Sequence, residues 1–108
     1  MNDREKLARL QGLTRLMLDM RLMELEKAAQ ARQASLDHLA ELARPQPPAD
    51  PNPIVAAEVA LRYENWADQR RSAINLDLAR QTIAWEEARQ NASLAFGRNA
   101  VIAKLKEK

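Results

Sequence analysis

Apolar positions in the first part of the chain recur at alternating spacings of four and three residues. From Leu18 onward they run Leu18, Leu22, Leu25, Ala29, Arg32, Leu36, Leu39 and Ala43, with Leu7 close to the same face. A repeat averaging 3.5 residues is the seam of a coiled coil. It predicts one helix over residues 2–44, about 65 Å long at 1.5 Å per residue. Asn2 stands where an N-cap is needed, and Glu5 follows three residues later as in a capping box. A second run, over residues 53–106, carries a seam of Tyr63, Ala67, Ile74, Leu78, Trp85, Ala88, Ala92, Ala95 and Ile102. Its alanines would let two helices approach closely. Gly12 and Gly97 each weaken a helix interior by about 1 kcal/mol relative to alanine, so fraying is expected beyond Gly97.

Between the runs lie all five prolines, within residues 45–53. Each removes a backbone donor and biases the residue before it away from the helical region. Asn52 followed by Pro53 is an N-cap with proline at the first helical position, where the missing donor costs nothing. The fold class expected is therefore all-α: residues 1–108 form one long antiparallel two-helix coiled-coil hairpin, with an elbow at 45–53. The rival arrangement splays the helices and swaps them between protomers.

Each helix also has a second apolar stripe. At about 100° per residue, Leu13, Leu16, Met17, Met20 and Met23 gather on the side opposite Leu18, Leu22 and Leu25. Leu76, Ile83, Leu94 and Val101 do the same on the second helix. A two-helix hairpin buries one stripe per helix. The other is a candidate interaction site, open to self-association into a four-helix bundle or to a foreign protein.

Composition narrows the class. Aromatic residues make up 4%, so leucine, alanine and methionine must do the burying. At 46% hydrophobic the chain is too apolar for a disordered segment. The window from Leu13 to Leu25 is too short and too charged to span a bilayer. The start lacks the pattern of a signal peptide, and there is no cysteine, which together suggest a soluble cytoplasmic protein. Charge is uneven: residues 1–21 and 96–108 hold nine Lys or Arg against four acids, whereas residues 22–95 hold eight against eleven. A hairpin would bring both basic segments to one pole, where Arg4, Lys6, Arg9, Arg98 and Lys104 could dock on an acidic surface. Lys104, Lys106 and Lys108 also suit the negative end of a helix dipole.

Catalytic patterns are missing. His38 is the single histidine, which with no cysteine makes a poor metal site. Ser35, Ser72 and Ser93 have no second histidine to activate them, and neither glycine belongs to a phosphate loop. Glu86 and Glu87 are adjacent and point about 100° apart on a helix, so they cannot work as a facing acid pair. A non-enzymatic protein with no metal and no cofactor is expected. Basic residues interleaved with acids, at net +2, also argue against nucleic acid binding.

The chain resembles the flagellar and type III secretion stalk proteins (the FliJ/YscO group). The resemblance is carried by Arg4-Glu5-Lys6-Leu7-Ala8-Arg9-Leu10, by Trp66-Ala67-Asp68-Gln69-Arg70-Arg71, and by Glu87-Ala88-Arg89 with Ala95-Phe96-Gly97-Arg98. It spans nearly the whole length as a pattern of residue types, and no individual functional residue is carried over. The chain is short for the group, and its proline-rich elbow sets it apart. The resemblance implies a stalk or chaperone-escort accessory of an export apparatus. Such a protein binds a hexameric export ATPase ring, the export gate and export chaperones, in the cytoplasm at the inner membrane. The alternative is a self-assembling structural or adaptor coiled coil with no ATPase partner.

Overall fold

A computed structural model describes residues 2–47 and 50–107. Two helices make up the fold, α1 over Asp3–Leu42 and α2 over Pro53–Glu107. The rod they form measures 84 × 19 × 17 Å. Its length is set by α2 alone, whose 55 residues extend about 82 Å.

Local chemistry fixes the helix ends. Asn2 stays extended, and its Oδ1 accepts from the Glu5 N–H at 2.8 Å. Helix α1 therefore begins one residue later than expected. At its other end the Ala43 N–H bonds to Leu39 and Ala40, and the Arg44 N–H to Glu41. This tightening satisfies carbonyls that the helix would otherwise leave open. Pro45 bars a further turn, so α1 stops at Leu42 rather than 44. Asn52 caps α2 through Oδ1, which accepts from Ile54 at 3.0 Å. The Asn52 N–H is itself held by Asp50 at 2.8 Å.

Three cross-helix hydrogen bonds define an antiparallel hairpin within one chain. Thr14 Oγ1 donates to Asn99 Oδ1 at 3.0 Å, Arg32 Nε to Thr82 Oγ1 at 3.2 Å, and Ser35 Oγ to Gln81 Oε1 at 2.6 Å. Residues of α1 and α2 thus lie level when their numbers add to between 113 and 116. On that register Leu18 stands level with Ala95, Arg21 with Ala92, Leu25 with Ala88 and Leu39 with Ile74. Leu18, Arg21 and Leu25 of α1 meet alanines of α2, the arrangement that permits close approach. Every position of the expected α2 seam is buried or half-buried, joined by Arg71, Gln81 and Asn99.

The α1 seam needs a correction. It runs Leu7, Gln11, Thr14, Leu18, Arg21, Leu25, Ala28, Arg32, Ser35, Leu39 and Leu42, all buried or half-buried. Leu18, Leu25, Arg32 and Leu39 were expected there, and Ala29 and Leu36, also expected, are half-buried at its edge. Arg21 and Leu42, however, take the places of Leu22 and Ala43, and Ala28 and Ser35 join the seam. Leu22 is 47% exposed and Ala43 lies outside, while Ser35 is buried. Polar partners explain the choice. Gln81 accepts from Ser35, and Thr82 accepts from Arg32. The guanidinium of Arg32 also lies 5.1 Å from the Trp85 ring centroid, with that of Arg89 at 5.2 Å. Arg21, half-buried, reaches outward to Glu24 at 3.0 Å.

The proline segment is longer in reach than an elbow. Leu42 comes level with Arg71, so the first turns of α2 have no helical partner. Residues 43–52 instead span the length from Arg71 back to Pro53, about 27 Å of helix. The described part of this strap lines a cavity of about 520 Å³ together with Ala56, Val59, Ala60, Tyr63 and Ala67. Pro48 and Ala49, inside the expected elbow, lie outside the described residues, as do Met1 and Lys108.

The fold makes two measurable commitments. Spin labels at residues 10 and 103 should lie within about one to two helix diameters of each other. A label at 88, level with 25, should sit about 22 Å further along the rod from residue 10. Comparable distances for the two pairs would contradict the register. Helix α2 also runs unbroken through Gly97, and a Cβ at Gly12 or Gly97 would meet nothing within 4 Å. Gly12→Ala and Gly97→Ala should therefore each stabilise the fold by up to about 1 kcal/mol in urea unfolding.

Candidate functional site

The functional candidates are surfaces of the rod's terminal half. Because the seam of α1 turns through Arg21 rather than Leu22, the second stripe does not lie behind it. Leu10, Leu13, Met17 and Met20 sit about 100° round α1 from the seam, on a flank of the hairpin. All four are exposed. Leu16 and Met23, the remaining members of the expected stripe on α1, project furthest from the seam. At 66% and 70% exposure they contrast with Met17 at 40%.

Helix α2 contributes to the same flank. Thr14 of α1 lines a shallow groove with Leu94, Gly97, Arg98, Val101 and Ile102. Leu94, Val101 and Leu105 are exposed, and the register sets them beside the stretch from Leu10 to Met20. The two stripes therefore merge into one apolar face. Leu76 and Ile83, grouped with Leu94 and Val101 by periodicity, lie further along the rod and outside this face.

Around the face lie the cations expected there. Arg4, Lys6, Arg9, Arg98 and Lys104 are all exposed, and the register gathers them in the terminal half. Ion pairs found among the described residues join Arg15 to Asp19, Arg21 to Glu24, Arg71 to Asp68 and Arg80 to Asp77. None engages the five cations. Each of these pairs is local to one helix and solvent-exposed to a degree that makes its contribution to stability small.

Reactive side chains are put to structural use or left dispersed. Ser35 is buried as a donor to Gln81. His38 is exposed and edges a groove with Glu41, Trp66 and Arg70. Among the described residues no group of three or more His, Asp or Glu is placed to hold a metal ion. No helix there is long and apolar enough to cross a membrane. The two tryptophans differ. Trp85 packs between the helices against Arg32 and Arg89, whereas Trp66 is 53% exposed beside Tyr63.

Sequence periodicity overlooked Leu10 and Leu105 as members of the face. The spacing of Leu10 to Leu13, Met17 and Met20 carried the information, since it repeats the three-four alternation on a second side of the helix. Compared with protein-family models, with curated proteins and with solved structures, the chain matches none.

A directed pair of variants tests the face. Met17→Glu with Met20→Glu should abolish self-association or partner binding, read by sedimentation, while far-UV circular dichroism stays helical. Leu16→Glu with Met23→Glu, one step further round, should leave association within about threefold of the unmodified protein.

Proposed function

We propose that this protein is a non-enzymatic stalk or chaperone-escort accessory of a flagellar or type III export apparatus, binding a hexameric export ATPase by its terminal half. What supports this most is the build of one end of the rod. The start of α1, the end of α2, the five exposed cations and the apolar face all lie in that half. A narrow rod 17–19 Å across has the proportions of an insert for a ring bore. The resemblance in residue pattern supplies the identity of the ring, the export gate and the chaperones as partners, and a cytoplasmic place beside the inner membrane.

Charge steers such an insertion mainly through the association rate, and salt weakens it. ATP turnover by a purified export ATPase should rise on adding this protein at low salt, and rise less at high salt. Reversing Arg4, Lys6, Arg9, Arg98 and Lys104 together should reduce the stimulation severalfold while leaving helicity intact. Unchanged turnover at both salt concentrations overturns the rotary-stalk role.

A second proposal is a self-assembling structural or adaptor coiled coil. It is favoured by the position of the apolar face, which runs along the flank of the rod rather than capping its tip. Under this function the charge-reversed protein gives no change in any ATPase.

A further inference from the structure

We infer that the flank of α1 is a self-complementary interface, on which a second copy of this chain packs antiparallel to form a four-helix bundle. The inference stands on the order of residues along that flank. Asp3, Lys6, Leu10, Leu13, Met17, Met20, Glu24 and Lys27 follow one another at alternating three and four residues. All eight are exposed. They form a second heptad seam about 100° from the one that closes the hairpin. Two seams near a right angle on one helix match the corner position of a square four-helix bundle.

The charges decide orientation. Turned end over end against itself, the flank sets Leu13 opposite Met17 of the second copy and Leu10 opposite Met20. Beyond them Lys6 comes opposite Glu24, and Asp3 opposite Lys27. Each charge at the rim meets one of opposite sign, and the apolar residues meet in the middle. A parallel pairing would instead set Asp3, Lys6, Glu24 and Lys27 each against its own copy. Slipping the antiparallel pair by one heptad sets Leu10 against Lys27 and Leu13 against Glu24. One arrangement satisfies both the apolar and the charged positions.

Helix α2 completes the face with Leu94, Val101 and Leu105. Arg98 on the same flank falls near the two-fold axis and meets its own counterpart, a like-charge contact that limits affinity. Glu24 already pairs with Arg21 at 3.0 Å and would share its carboxylate with Lys6 of the second copy.

The chain has no cysteine, so single cysteines report the geometry directly. Lys6→Cys and Glu24→Cys proteins, mixed and oxidised, should yield the mixed disulfide and little of either self-disulfide. In the antiparallel pair the two copies of residue 6 are about 27 Å apart along the axis. Self-disulfides at 6 and at 24 without the mixed product would overturn the orientation, and a monomer at all concentrations up to the millimolar range would overturn the interface. Lys6→Glu alone and Glu24→Lys alone should each weaken the dimer on the order of tenfold, counting two such pairs per dimer. The double exchange should restore it, and failure of that rescue counts against the register. Arg98→Leu should tighten self-association, whereas docking of Arg98 on an acidic ATPase would be weakened by the same change. Cross-linking needs no ATPase, so its outcome is independent of the export role.

Discussion

The close packing of leucine against alanine along the hairpin is the constraint from which the other features follow. Fully burying a leucine side chain is worth roughly 1.5–3 kcal/mol, and an alanine much less. Only Leu18, Ala67, Ile74, Ala88, Ala92 and Ala95 are buried apolar residues among those described, so the rod has little core. Apolar seams of this kind tolerate sliding, because one alanine resembles the next. What holds a single register is the polar set placed at intervals along the seam: Thr14 with Asn99, Ser35 with Gln81, and Arg32 with Thr82 and Trp85. Part-buried polar pairs add little net stability, but a slip of one heptad would break each of these cross-helix bonds. Register therefore rests on polar residues and affinity on apolar ones.

That division explains how much of the molecule was legible in the sequence. Helix number, caps and the span of each helix come from local signals, proline and asparagine above all, and these act within a few residues. The apolar positions of the α2 seam were legible, since its alanines and Ile74 stand out from their neighbours, whereas its polar members Arg71, Gln81 and Asn99 were not. The α1 seam was legible except at Leu22 and Ala43, with Ala28 and Ser35 joining the half-buried Ala29 and Leu36 unannounced. Leu22 is more apolar than Arg21, so a ranking by hydrophobicity picks the wrong neighbour there, and beside the half-buried Leu36 it passes over the buried Ser35. The deciding partners, Gln81 and Thr82, are distant in sequence, and nothing local to α1 reveals them.

Register was not legible for a related reason. A turn centred on the prolines would bring residue 10 level with 88, whereas it lies level with 103. The segment joining Leu42 to Pro53 spans distance along the rod as well as reversing direction, and its composition suits both uses. For the interaction surface, the exposure of Leu13, Leu16, Met17, Met20 and Met23 could be read from periodicity, as could that of Arg4, Lys6, Arg9, Arg98 and Lys104. Which of them share a flank could not. That depends on the register of both helices at once, and it separates Met17 and Met20 from Leu16 and Met23.

The strap has a consequence for the order of assembly. Leu42 and Arg71 are the first level pair next to it, so they close the smallest loop and meet at the lowest entropic cost. Pairing can then zip from there toward the chain ends, each layer shortening the search for the next. The basic, apolar terminal half is the last part to close and the first to fray. A docking surface built at that end is held together least tightly by the hairpin itself, and whatever covers it also finishes the fold.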